Sequence, residues 1–157
     1  MKIAIYSRGV DKDQFSDVEQ LIELLVASGV EPVFFQDFFN QFYCSIKLST
    51  NYSTFSSYHD LDSSIDCMIS LGGDGTLLDT VTYIRDSEIP VLGVNYGRLG
   101  FLANLGREDI QLAVDALLER TYVLDKRTLL HLDANVPLFG ETPYAVSYTH
   151  LTLPTIL

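Results

Sequence analysis

Apolar positions along the chain change period several times, and each change marks an element. Lys2 to Tyr6 forms a short apolar run that turns polar at Ser7-Arg8-Gly9, which predicts a first strand and its turn. Phe15, Val18, Leu21, Ile22 and Leu25 then recur at helical spacing as far as Ser28-Gly29, a pair suited to a helix C-cap. Glu31 to Phe35 predicts a second strand, completing a β-α-β beginning. Gln36 to Ser64 is dense in Phe, Tyr, Ser, Thr and Asn without a sustained period; it predicts a short helix and a weak strand, with aromatics packed beneath a long loop. Ile65 to Leu71 and Ile89 to Val94 read as buried parallel strands. Between them, Leu77, Leu78, Val81 and Ile84 put one apolar face on a helix that should lie on the sheet. Leu105 to Arg120 predicts another helix, with Ile110, Ala113, Val114, Leu117 and Leu118 inward and Glu108-Asp109 near its positive end. From Tyr122 the period changes, and Leu130, Leu132, Ala134 and Val136 alternate with Leu129, His131, Asp133 and Asn135. The whole pattern predicts an open, mostly parallel, doubly wound α/β sheet over residues 1–121, followed at 122–145 by the start of a β-rich second domain.

Composition narrows the partners. With 157 residues the chain is long enough for one full core and too short for two. Its net charge of −11 argues against a nucleic-acid backbone or an anionic membrane as partner. Two cysteines, Cys44 and Cys67, make no disulfide framework, and the N-terminus turns polar too soon for a signal peptide. These features predict a cytoplasmic protein. His59, His131 and His150 show no metal-ligand spacing.

The chemistry concentrates in two loops. Gly72-Gly73-Asp74-Gly75-Thr76 lies between a strand and a helix, where glycines let the backbone turn sharply and present N–H groups to a phosphate. An aspartate in such a turn suits phosphoryl transfer, either holding a metal ion or accepting a proton. Thr76 is expected at or near the N-cap, where its hydroxyl can cap the helix or touch phosphate. The second loop, Asn95-Tyr96-Gly97-Arg98-Leu99-Gly100-Phe101-Leu102, follows the next strand, so both should open on one sheet edge and line one crevice.

This pair of motifs, Gly-Gly-Asp-Gly-Thr and Asn-x-Gly-x-Leu-Gly-Phe-Leu, resembles the ATP-dependent NAD kinases, which phosphorylate the adenosine ribose 2′-hydroxyl of NAD to give NADP. The resemblance runs from Lys2 to about Ala145. It implies ATP as phosphoryl donor, Mg²⁺ or another divalent ion, NAD as substrate, and a homo-oligomer. It makes Asp74 the catalytic residue and a possible metal ligand, and puts ATP phosphates at Gly72, Gly73, Asp74, Gly75 and Thr76. Asn95 and Gly97 should lie near the phosphates and Phe101 against the dinucleotide, core packing being the alternative for its ring. Arg8 and Arg98 are candidate phosphate partners or solvated cations. Asp79 departs from the basic or small residue that some members carry there. The glycine turn is shared with lipid kinases of the diacylglycerol and sphingosine type, and a non-catalytic nucleotide-binding module would also retain it.

The resemblance also implies a β-sandwich with a Leu-Asn-Glu or Leu-Asn-Asp motif soon after Phe139 to Ala145. The chain reads instead Val146-Ser147-Tyr148-Thr149-His150-Leu151-Thr152-Leu153-Pro154-Thr155, which resembles a translated sequencing-library adapter. Residues 146–157 are therefore expected to be non-native, and the 157-residue polypeptide is expected to have little kinase activity by itself.

Overall fold

The computed structural model describes residues 1–43, 52–97, 100–103, 105–131 and 144–146. Two compact units divide the chain, Met1–Val123 and Leu124–Leu157. In the first, six strands run parallel in one sheet: β1 (Lys2–Tyr6), β2 (Glu31–Phe35), β3 (Ser53–Phe55), β4 (Cys67–Leu71), β5 (Val91–Asn95) and β6 (Leu105–Gly106). Their order, β3-β2-β1-β4-β5-β6, is that of a doubly wound sheet, with the reversal between β1 and β4. Ile5 pairs with Ile69 and Ile69 with Leu92, so the sheet centre is a band of branched apolar side chains.

Side chains alternate between two cores, as strand geometry requires. Ile3, Ile5, Cys67, Ile69 and Leu71 face α1 (Phe15–Ala27), α2 (Gln36–Tyr43) and α5 (Ile110–Glu119). Helix α1 contributes Val18, Leu21, Ile22 and Leu25, the predicted stripe, and ends with Ser28 as C-cap and Gly29 at φ 74°. Phe38 and Phe42 of α2 stack at 5.4 Å between centroids, so these aromatics of the illegible stretch are core. On the other face Ala4, Tyr6 and Met68 pack with Tyr83 and Ile84.

Two predicted helices differ. The helix after the glycine turn is split into α3 (Asp74–Asp79) and α4 (Val81–Ile84). The Thr80 hydroxyl donates to the Leu77 carbonyl at 2.6 Å and that of Thr82 to Asp79 at 2.8 Å, competing with the helical ladder at the break. The predicted helix over Leu105 to Arg120 begins later: Leu105–Gly106 is strand β6, Arg107–Asp109 is a 3₁₀ turn, and α5 starts at Ile110.

In the second unit β7 (Leu129–His131) pairs antiparallel with β8 (Tyr144–Val146), matching Leu129 to Val146. The predicted alternation through Leu132, Ala134 and Val136, and the tail from Ser147 onward, lie outside the described residues. No helix among the described residues is long and apolar enough to cross a membrane.

Candidate active site

The carboxyl ends of β4 and β5 are tied together by the Gly72 N–H, which donates to the Val94 carbonyl at 2.9 Å. Gly72 sits at φ 149°, and a Cβ there would meet the Thr76 Oγ1 at 2.5 Å. Glycine is therefore required twice over, for the backbone conformation and for the hydroxyl folded back over it. Gly73 is the N-cap of α3, and its carbonyl accepts from Thr76 and Leu77. Thr76 is thus the third residue of the helix, near the cap that Gly73 forms. Gly75 is exposed, with the Arg8 guanidinium beside it.

Asp74 is the first residue of α3, and its carboxylate reaches across to the second loop. Oδ2 accepts the Phe101 N–H at 2.9 Å; Oδ1 accepts those of Leu102 at 3.1 Å and Ala103 at 3.0 Å. Burial raises the proton affinity of this carboxyl, but the three N–H bonds together outweigh it and hold the group below the usual aspartate range. A carboxylate offers about four acceptor positions, so one on Oδ2 stays open toward a ligand.

Asn95 closes the base of the loop. It is buried, its Nδ2 donates to the Ala103 carbonyl at 3.2 Å, and its Oδ1 accepts the Gly97 N–H at 2.8 Å. The Phe101 ring is 97% exposed, so it is not the core side chain that its apolar neighbours suggested. Arg98 and Leu99 lie outside the described residues.

Arg8, at the carboxyl end of β1, forms a two-pronged ion pair with Asp79, its Nη2 lying 2.6 Å from Oδ1. The Tyr6 hydroxyl donates to the same carboxylate at 3.2 Å. Burial, then the Asp79 charge, pushes the Tyr6 hydroxyl well above the ordinary tyrosine value. No group of three or more His, Cys, Asp or Glu among the described residues converges on a metal position. A hollow of about 340 Å³ lined by Val26, Gly29, Glu31, Pro32 and Ser53 lies at the amino ends of β2 and β3, the opposite edge of the sheet.

Residues 14–122 match the family described as the ATP-NAD kinase N-terminal domain. The chain belongs to this family. As an NAD kinase relative it is 35% identical over 156 residues to the NAD kinase of Christiangramia forsetii, covering 99% of this chain and 51% of that protein. It is 38% identical over 132 residues to that of Flavobacterium psychrophilum, covering 84% and 45%. The chain therefore spans about half the length of the curated relatives it matches. Its fold is similar to that of yeast NADH kinase solved with NADH, at a TM-score of 0.65 and 20% identity, over 83% of this chain and 40% of that one. The NAD kinase match covers both glycine loops and the strands that carry them. Gly100 is the residue whose importance sequence reasoning missed; its place in the second motif was legible, its contact with Asp74 was not.

Proposed function

We propose that the full-length protein containing this chain transfers the γ-phosphoryl group of ATP to the adenosine ribose 2′-hydroxyl of NAD, giving NADP and ADP. The observation that carries this reading is the Asp74 carboxylate held by the N–H groups of Phe101, Leu102 and Ala103, because it joins the two motifs around one acidic group. Phosphoryl transfer asks the protein for positioning and electrostatics more than for covalent chemistry. The open position on Asp74 Oδ2 suits the hydrogen of a ribose hydroxyl. As the ribose oxygen bonds to phosphorus and the bond to ADP breaks, the hydroxyl proton passes to Asp74 and then to solvent. A carboxylate of lowered proton affinity works here chiefly by orienting and polarising the hydroxyl, with proton transfer late.

ATP phosphates are assigned to the Gly72–Thr76 turn, where a Cβ on Gly73 would meet nothing within 4 Å and the backbone can approach a ligand closely. Gly97 and the loop based on Asn95 flank this position, and the exposed Phe101 ring offers a face for stacking on the dinucleotide. Mg²⁺ would be held mainly by the ATP phosphates, with the open Asp74 Oδ2 position as its alternative protein ligand where that oxygen does not face the hydroxyl. When bound it supplies charge neutralisation on the phosphates. The reading extends to a cytoplasmic homo-oligomer, in keeping with the family resemblance.

Asp74→Asn in the full-length protein is expected to lower kcat about a hundredfold or more while the fold is preserved, with a modest fall in melting temperature because the amide nitrogen cannot accept a backbone N–H as the carboxylate oxygen does. Near-normal turnover in that variant refutes the role.

A further inference from the structure

The geometry points to the backbone of Gly100–Ala103 as the device that seats the Asp74 carboxylate for reaction, with Gly100 as a positioning residue. This rests on the NAD kinase reading and concerns how the reactive oxygen is held. A Cβ on Gly100 would lie 2.1 Å from Asp74 Oδ1, 2.5 Å from Cγ and 2.6 Å from Oδ2. Those distances are too short for any side chain, so a residue other than glycine must displace the carboxylate or the loop. The seat is built from backbone that is itself fixed. The Gly100 N–H donates to the Ala103 carbonyl at 3.3 Å, and the same carbonyl accepts from Asn95 Nδ2. Ala103 is fully buried, and its Cα is 3.0 Å from where a Cβ on Gly93 would stand, so the loop backs directly onto β5. An oxygen held by such a seat is aimed before substrate arrives, which is what positioning requires.

The charged groups near Asp74 do not explain its seat. Arg8 comes from the end of β1 and lies beside Gly75, but its guanidinium is engaged by Asp79 of α3. Among the described residues, the hydrogen bonds to the Asp74 carboxylate come from backbone N–H groups.

The test uses Gly100→Ala in the full-length protein. Expected are a fall in kcat of about tenfold or more with KM little changed, and amide exchange at Phe101, Leu102 and Ala103 about tenfold faster, the loss of roughly one ordinary hydrogen bond. A folded variant with unchanged kcat and unchanged exchange overturns the inference. Should Gly100→Ala fail to fold, Asp74→Ala removes the acceptor and leaves the loop sequence intact. Faster exchange at the same three amides supports the seat, and unchanged exchange overturns it. If the wild-type protein does not phosphorylate NAD, the function reading fails, while the exchange measurement still decides whether the loop seats Asp74.

Discussion

Asn95 illustrates how one side chain invites two readings. In the sequence it opens a glycine-punctuated loop and suggests a phosphate ligand; in the fold its amide joins the Gly97 N–H to the Ala103 carbonyl. Truncation removes one of the two donors to the buried Ala103 carbonyl and frees the Gly97 N–H to water, so Asn95→Ala should cost about 1–2 kcal/mol, read by urea unfolding. A residue that served phosphate alone would leave stability unchanged. Arg8 and Asp79 are a milder case. The guanidinium side chain is 62% exposed, and exposed pairs contribute at most about 1 kcal/mol, so Arg8→Ala should barely shift the unfolding midpoint. Sequence pattern shows which residue types gather in the two loops. It does not show that Asp74 faces the backbone of Gly100–Ala103, because that contact spans 27 to 29 positions and depends on how β4 and β5 pair.

Elements were legible where burial imposes a period and obscure where it does not. Strands β1 and β2 are readable as short apolar runs because both their faces are buried, and helix α1 because one face is packed on a core. Strand β6 has two residues and no pattern to read, and Leu105 fits the following helical spacing equally well. The break between α3 and α4 is equally invisible to periodicity, since Leu77, Leu78, Val81 and Ile84 keep a helical face while Thr80 and Thr82 divert their hydroxyls to the backbone. At this scale Gly93 is the most sensitive position. A Cβ there would be 2.4 Å from Leu77 Cδ1 and 3.0 Å from the Ala103 backbone, so it would part β5 from both α3 and the second loop. Gly93→Ala is expected to destabilise by about 1–3 kcal/mol and to lower turnover as well, because the same contact supports the Asp74 seat. Thermal unfolding and a steady-state assay on one preparation check both; full activity with lost stability would separate the core from the site.

The whole molecule adds two constraints. Because the chain spans about half the length of its curated relatives, donor, acceptor and metal are not all expected to be positioned by it, and purified residues 1–157 should turn over below about a hundredth of the full-length rate. The second constraint is alkaline. Burial pushes the Cys67 thiol up to about 12 from an ordinary 9.0, and burial likewise raises the Tyr6 and Tyr96 hydroxyls above the ordinary tyrosine value. Each of these groups keeps its proton in the folded state at a pH where the unfolded chain has already lost it. Their contribution to stability is therefore complete below about pH 9 and is lost as pH rises toward the folded values. The urea midpoint should fall steadily above about pH 9, and Cys67→Ala should make that fall shallower because one of the titrating groups is gone. Self-repulsion from a net charge of −11 also acts at these values, but Cys67→Ala leaves it unchanged near neutrality, so the difference between the two slopes isolates the thiol. Parallel slopes would mean that Cys67 titrates alike in both states, and its burial beneath α1 and α5 would have to be abandoned.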